Sequence, residues 1–419
     1  MSMSISTERH RLARIVTPAT LLLACAAFFG CEPAGKTDSN STNSAASPGK
    51  NTPQVTLEFP DGDPSISAEL GGPEFTGESW TTLDTGPVGD PSAVKGGAIQ
   101  SAIPQWPDNL RMYGIRSNTF LNYLIRDLCY ESLVGMHPGT LEFMPGLASH
   151  WKVSDDKMTF TFRINPKAHW SDGKAVTAND VIATYRLIAD DTLLAPMMKE
   201  SIVNNLEEPV ALSKYMVEVK CKEKDWRNFI AISGMIILPA HEISELTGEE
   251  YLDKYNFKYT VGTGPYTVHA KDIKTDESIT LTRRRDFWGA DETANQGMFN
   301  FDKIRFVVVR ESRLAFDKVC KGELDFQTVM TAKWWVEELD QMEAIQQGHL
   351  VRQKVYTKFP KGIQGQAYNL RGSPLDDVRV RKALAHAFDR ETMLEKFAYN
   401  EYFPLKSYFP GSDAENPQN

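Results

Sequence analysis

Cysteine is scarce in this 419-residue chain, and the five that occur do not cluster. Cys25 and Cys31 fall in the first few dozen residues. Cys129, Cys221 and Cys320 stand far apart, with no Cys-x-x-Cys pair. That spacing offers neither a zinc site nor a disulfide framework, and isolated thiols of this kind are expected as small buried hydrophobes. Basic charge is also short: Lys and Arg number 46 against 55 Asp and Glu, a formal net charge of −9. A long cationic stripe for nucleic acid is therefore not expected, because nothing would offset phosphate repulsion. No run of about 18 uninterrupted apolar residues appears, which excludes a polytopic helical membrane protein. The 8 His are scattered. No G-x-S-x-G elbow, phosphate-binding loop or dinucleotide fingerprint is present, so neither nucleophilic nor acid–base catalysis finds a constellation to work with. No cofactor and no metal are expected.

What is present begins with a leader. Arg9, Arg11 and Arg14 precede an uncharged, mostly apolar stretch from Ile15 to Phe29, closed by Gly30-Cys31. This is the pattern of a secretory signal, too short for a comfortable membrane span. A small residue followed by Cys resembles the lipobox of bacterial lipoproteins, which makes Cys31 the expected acylation site and 1–31 the signal. Cys25, after Leu22-Leu23-Ala24, is the competing site. From 32 to 94 the chain is rich in Ser, Thr, Asn, Gly and Pro and keeps no helical or alternating period, so a flexible spacer is expected there.

Periodicity starts at Lys95-Gly96-Gly97-Ala98-Ile99, which opens an alternating strand. Leu121, Leu124, Ile125 and Leu128 have helical spacing. Met158, Phe160, Phe162 and Ile164 alternate with Thr159, Thr161 and Arg163, between turn signals at Ser154-Asp155-Asp156 and Ser171-Asp172-Gly173-Lys174. Thr177 with Asp180 forms a helix-start signal ahead of Val181, Ile182, Tyr185 and Leu187.

Five blocks in order carry a resemblance to a known family. They are Met144–Ile188; Val261-Gly262-Thr263-Gly264-Pro265-Tyr266; Arg283–Gly289 (RRRDFWG); Phe301–Phe326; and Tyr368–Met393, which includes DDVRVRKALAHAFDR. Together they resemble the family 5 extracellular solute-binding proteins, which deliver oligopeptides, dipeptides and nickel to ABC importers. The runs NQGMFNFDKIRF, KFPKGIQGQAYNLR and YFPLKSYF are similar to the subgroup that handles microcin C and other oligopeptides. The resemblance implies an α/β, two-lobed periplasmic-binding-protein fold of type II, cluster C-like. Lobe one is expected over 95–302, with a family-specific insertion, and lobe two over 303–419. Family members continue well past Pro410-Gly411-Ser412, so lobe two is expected to be incomplete, with the acidic residue for the ligand's amino terminus lying beyond Asn419.

By position in that pattern, Tyr113, Arg116, Ser117 and Asn118 after the first strand are the expected cleft residues. Gln364, Gln366 and Asn369, with Trp334 and Trp335, are their counterparts in lobe two. Trp151, Trp170, Tyr266 and Trp288 are expected to fill the interior, and Arg379 and Arg381 to pair with Asp376, Asp377 or Asp389. The resemblance further implies an oligopeptide ligand, an ABC permease with its ATPase, attachment to the membrane through the N-terminal lipid, a monomer, and a place in the periplasm or cell envelope. Other readings are a peptide-sensing or scaffold lipoprotein, and a truncated chain that binds nothing. His241-Glu242 superficially suggests a metallopeptidase, but the second His of H-E-x-x-H is absent.

Overall fold

The computed structural model describes residues 56–356 and 365–405. They form two units. The larger comprises 56–137 and 142–312; the smaller comprises 138–141 and the described residues from 313 onward.

The larger unit holds two four-stranded sheets. In chain order its main elements are β1 (Ala98–Ile103), α1 (Phe120–Cys129), β2 (Val134–Met136), β3 (Phe143–Pro145), β4 (Ala148–Val153), β5 (Thr159–Ile164), α2 (Ala178–Ala189), β6 (Val210–Ser213), β7 (Met216–Lys220), α3 (Arg227–Ser233), α4 (Ala240–Ile243), α5 (Gly248–Lys254), β8 (Tyr266–Lys274), β9 (Ser278–Arg283) and β10 (Lys303–Val308). The first sheet has the order β1-β10-β9-β8, with β1 and β10 parallel and the other pairs antiparallel. The second, β4-β5-β7-β6, is antiparallel throughout and is inserted in sequence between β1 and β8.

The alternating strand expected around Phe160 is β5, central in the second sheet, with Phe160, Phe162 and Ile164 buried and Thr159, Thr161 and Arg163 half-buried. Period-two patterning places one set of side chains on the core face. At α2 the Asp180 carboxylate accepts the Thr177 N–H at 2.7 Å, as the capping signal requires. Its other oxygen accepts Ala240 N–H at 2.7 Å, which ties α2 to the start of α4. Trp151, Trp170 and Tyr266 are buried, and Trp288 is half-buried. Cys129 and Cys221 are buried free thiols; Cys320 is half-buried.

Two expectations differ from what the structure contains. Lys303–Val308, assigned from sequence to the opening of lobe two, pairs residue for residue with Ala98–Ile103, and the division between units falls at 312–313. A parallel partner some two hundred residues away leaves no local trace in the pattern. The second half of the supposed spacer is also packed rather than free. Thr81 and Trp151 exchange main-chain hydrogen bonds of 2.8 and 3.0 Å at the edge of β4. The Phe75 ring packs edge-on against Trp80 and His150 and lies 4.6 Å from the Arg163 guanidinium. Ser213 Oγ donates to Leu70 O at 2.6 Å, and Gly96 N–H donates to Asn300 O at 2.8 Å. A few aromatic anchors suffice to pin a segment whose average composition is that of a linker, and Thr81 pairs with one residue of the β4 edge.

The smaller unit includes all but the first residue of the helix Ser312–Cys320, the short helical turn Trp334–Glu338 and the helix Val378–Ala387. Among its described residues Ala315, Phe316, Leu324, Ala332 and Leu339 are buried and apolar. Arg379 pairs with Asp377, and Arg381 donates to the carbonyls of Leu375 and Asp376. Among the described residues no helix is long and apolar enough to cross a membrane.

Candidate functional site

The segment joining β1 to α1 carries four of the expected cleft residues. It ends at Thr119, whose hydroxyl accepts the Asn122 N–H and caps α1. Tyr113 is buried, and its hydroxyl donates to Ile236 O at 2.7 Å, so its ring anchors the segment and its polar end is already engaged. Arg116 and Asn118 are exposed. Arg116 has a positive φ of 58° and a contact of 3.5 Å with Asp108. The half-buried Ser117 donates to Gly114 O at 2.9 Å. Three buried polar residues that no motif flags, Asn109, Arg111 and Asn122, shape this loop. The available signal was Asn122 itself, a polar side chain between Leu121 and Leu124 on the apolar stripe of α1.

In the smaller unit Trp334 stacks on Phe316 with ring centroids 4.9 Å apart, and Arg313 lies over both rings. Trp335 is half-buried, with Arg352 at 5.1 Å and Lys354 at 5.6 Å from its centroid. Gln366 is exposed and accepts the Tyr368 hydroxyl at 2.7 Å; Asn369 is exposed and accepts Arg371 N–H. Gln364 lies outside the described residues, as do Cys25 and Cys31.

The residues that superficially suggested a metallopeptidase are engaged elsewhere. His241 Nε2 lies 2.9 Å from Asp172, and Glu242 accepts the Tyr255 hydroxyl at 3.0 Å. Among the described residues no group of three or more His, Cys, Asp or Glu is placed to hold a metal ion.

Behind α1 the Val261–Tyr266 turn and the RRRDFWG segment meet. Arg284 donates to the carbonyls of Gly262, Thr263 and Gly264 and to Asp286. Burial alone would raise the Asp286 carboxyl, but the Arg284 hydrogen bonds and charge outweigh it and hold the group below its usual value. Nearby, Glu131 accepts the Trp288 indole N–H at 2.8 Å. Burial pushes its carboxyl up to about 7, against the opposing pull of the Trp288 bond and the Arg284 charge.

A folded-state value above that of the unfolded chain means the native unit binds the proton more tightly, so stability falls as pH rises from about 4.5 to 7. Glu131→Gln keeps an acceptor for Trp288 and removes the titration. It is expected to stabilise the unit on the order of 2 kcal/mol at pH 8, with the gap closing by pH 5. Thermal unfolding across that range checks this; parallel pH profiles for parent and variant would contradict it.

Comparison with known proteins places these features in context. The model of the "Bacterial extracellular solute-binding proteins, family 5 Middle" matches residues 142–419. A putative binding protein of Brucella melitensis is 29% identical over 338 residues, which is 78% of this chain and 53% of the relative. A probable peptide-binding protein of Agrobacterium fabrum, YejA, is 27% identical over 293 residues, 68% of this chain and 47% of the relative. The chain thus spans about half the length of these curated relatives. Among solved structures, the oligopeptide-binding protein AppA of Bacillus subtilis in complex with a nonapeptide aligns with TM-score 0.56 at 21% identity, covering 73% of this chain and 56% of AppA. NikA of Brucella suis in complex with Fe(III)-EDTA aligns with TM-score 0.55 at 19% identity, covering 76% and 59%. Chains holding a peptide and a metal chelate share this fold, so the fold by itself selects neither ligand.

Proposed function

Given that the chain belongs to the bacterial extracellular solute-binding proteins of family 5, with the α/β fold of the type II periplasmic binding proteins, we propose that it captures oligopeptides outside the cytoplasmic membrane and hands them to an ABC permease. The observation that carries the reading is the family match over residues 142–419. The preference for peptide is supported by the relative described as a probable peptide-binding protein. In this reading Arg116, Ser117, Asn118, Trp334, Trp335, Gln364, Gln366 and Asn369 are the ligand-contacting residues. Tyr113 stands behind the loop. Main-chain hydrogen bonding of the kind used when a strand adds to a sheet holds a peptide without selecting its sequence. Bridging waters accommodate its side chains.

The protein acts as a monomeric lipoprotein acylated at Cys31, in the cell envelope. The ligand leaves unchanged, and the permease with its ATPase supplies the energy. Titration of the full chain with a pentapeptide library, followed by thermal unfolding, tests the ligand class. Peptide at about a hundred times its Kd is expected to stabilise the protein by about 2.7 kcal/mol. A shift with Fe(III)-EDTA and none with peptide would replace peptide by chelate as the cargo.

A further inference from the structure

The loop between β1 and α1 is held by three side chains whose hydrogen bonds converge on its main chain. Asn122, on α1 and only 3% exposed, donates through Nδ2 to the carbonyls of Asn109, Arg111 and Ser117 at 3.1, 3.3 and 2.9 Å. Asn109 donates to Ile115 O and Arg116 O at 3.3 and 3.1 Å, and its Oδ1 accepts Arg111 N–H at 3.2 Å. The buried Arg111 guanidinium donates to Ile115 O at 3.0 Å and to Leu252 O at 2.9 Å. At the base of the tip Gly114 has φ 100°, and a Cβ there would lie 2.4 Å from a Leu252 methyl. That backbone conformation is one glycine adopts without strain.

The loop could be closed without this network. Apolar side chains of similar volume are commonly at least as stabilising as a buried charge, which must be desolvated first. What the network secures is one conformation of four exposed or half-exposed residues, including Arg116 in a left-handed backbone geometry that non-glycine residues disfavour. Strain held in place by surrounding structure is a feature of ligand clamps. The Arg116 side chain is 74% exposed, and among the described residues its guanidinium has one partner, a single 3.5 Å contact with Asp108. A guanidinium engaged that way keeps most of its planar fork available, and that fork matches a carboxylate bidentately.

We propose that Asn109, Arg111 and Asn122 are positioning residues that fix the tip from Gly114 to Ser117, so that Arg116 reads a carboxylate of the bound peptide. The inference rests on the peptide-capture reading and adds a chemical requirement to it. The terminal carboxylate is common to peptides of every sequence. A fixed arginine therefore provides affinity without demanding particular side chains.

The test is calorimetric titration of the full chain with one set of pentapeptides, prepared as free acids and as C-terminal amides. The parent is expected to prefer the acids by about tenfold, the worth of one charge-assisted pair. Arg116→Gln, an exposed substitution that leaves the interior intact, abolishes that preference. Asn122→Ala reduces the same preference at least about threefold, and it has no further effect on that preference in the Arg116→Gln background because the two act as one unit. Arg111→Met repeats the test with an apolar replacement of the buried charge. Equal affinity of the parent for acids and amides overturns the proposal and leaves peptide capture standing. A loss shared equally by acids and amides in Asn122→Ala overturns the positioning role. No binding of either form overturns both readings.

Discussion

Arg284→Ala is expected to destabilise the larger unit by about 3–5 kcal/mol, the range for breaking one side of a buried charged network. Arg284 is 6% exposed. Its Nη1 donates to Thr263 O at 2.9 Å, with longer bonds to Gly262 O and Gly264 O at 3.3 and 3.2 Å. Its Nη2 reaches Trp170 O and Asp286. Truncation removes the charged donor of Thr263 O, Gly264 O and the Asp286 carboxylate, while Gly262 O and Trp170 O keep main-chain donors from Ser171 and Gly173. Each buried acceptor left unpaired costs about 1–3 kcal/mol.

The variant should also change the response to acid. In the parent, Asp286 is held below its unfolded value, so it contributes stability above about pH 4 that is lost as pH falls through the folded value. Without Arg284 burial dominates, the carboxyl rises, and that contribution disappears. Chemical denaturation at pH 5 and 7 reads both effects. A loss below about 1 kcal/mol would mean the guanidinium is replaceable by water.

Gly262→Ala is expected to cost about 3 kcal/mol for a different reason. A Cβ at Gly262 would sit 2.0 Å from Cys129 O, the last residue of α1, and a Cβ at Gly264 would lie 2.7 Å from Cys129 C at the same helix end. Gly264 N–H donates to Cys129 O at 3.0 Å, so the turn cannot retreat without breaking a bond. Overpacking against backbone leaves no rotamer to absorb the strain. Ser171 N–H also donates to Gly262 O at 2.9 Å, which fixes the turn from its other side. The two substitutions touch one turn, so their effects should fall short of adding in the double variant. Tolerance of alanine at Gly262 would show that α1 can shift, and a mobile α1 could not hold Asn122 under the Arg116 loop.

That connection explains which parts of the molecule a sequence reader can see. The strand at Thr159–Ile164 and the start of α2 are written in short-range pattern, through alternation and a capping pair three residues apart. The Gly262–Tyr266 turn and Arg283–Gly289 were recognisable as blocks, but their meeting at Arg284 was not, because nothing local says which carbonyls a guanidinium will find. The packing of Leu70, Phe75, Trp80 and Thr81 was hidden by the composition of their segment, in which Phe75 and Trp80 are diluted among Ser, Gly and Pro. The pairing of β1 with β10 is a long-range choice set by the completed sheet.

The candidate site was legible to a similar degree. The segment from Tyr113 to Asn118 follows the first strand, and position alone singled it out. The difference in duty between Tyr113, whose hydroxyl bonds Ile236 O, and the exposed Arg116 required coordinates. Asn109, Arg111 and Asn122 belong to no signature. Only the misfit of Asn122 on an apolar helix face pointed toward them.

The central claim is that this chain carries peptide in the cell envelope. Native mass spectrometry of the protein taken from its own envelope tests it most directly, since one spectrum reads chain mass, N-terminal acylation and any retained ligand. The account predicts an acylated chain beginning at Cys31 with additional masses that dissociate as oligopeptides. A chain that is unacylated and carries no peptide, or that releases a metal chelate or sugar instead, would contradict it.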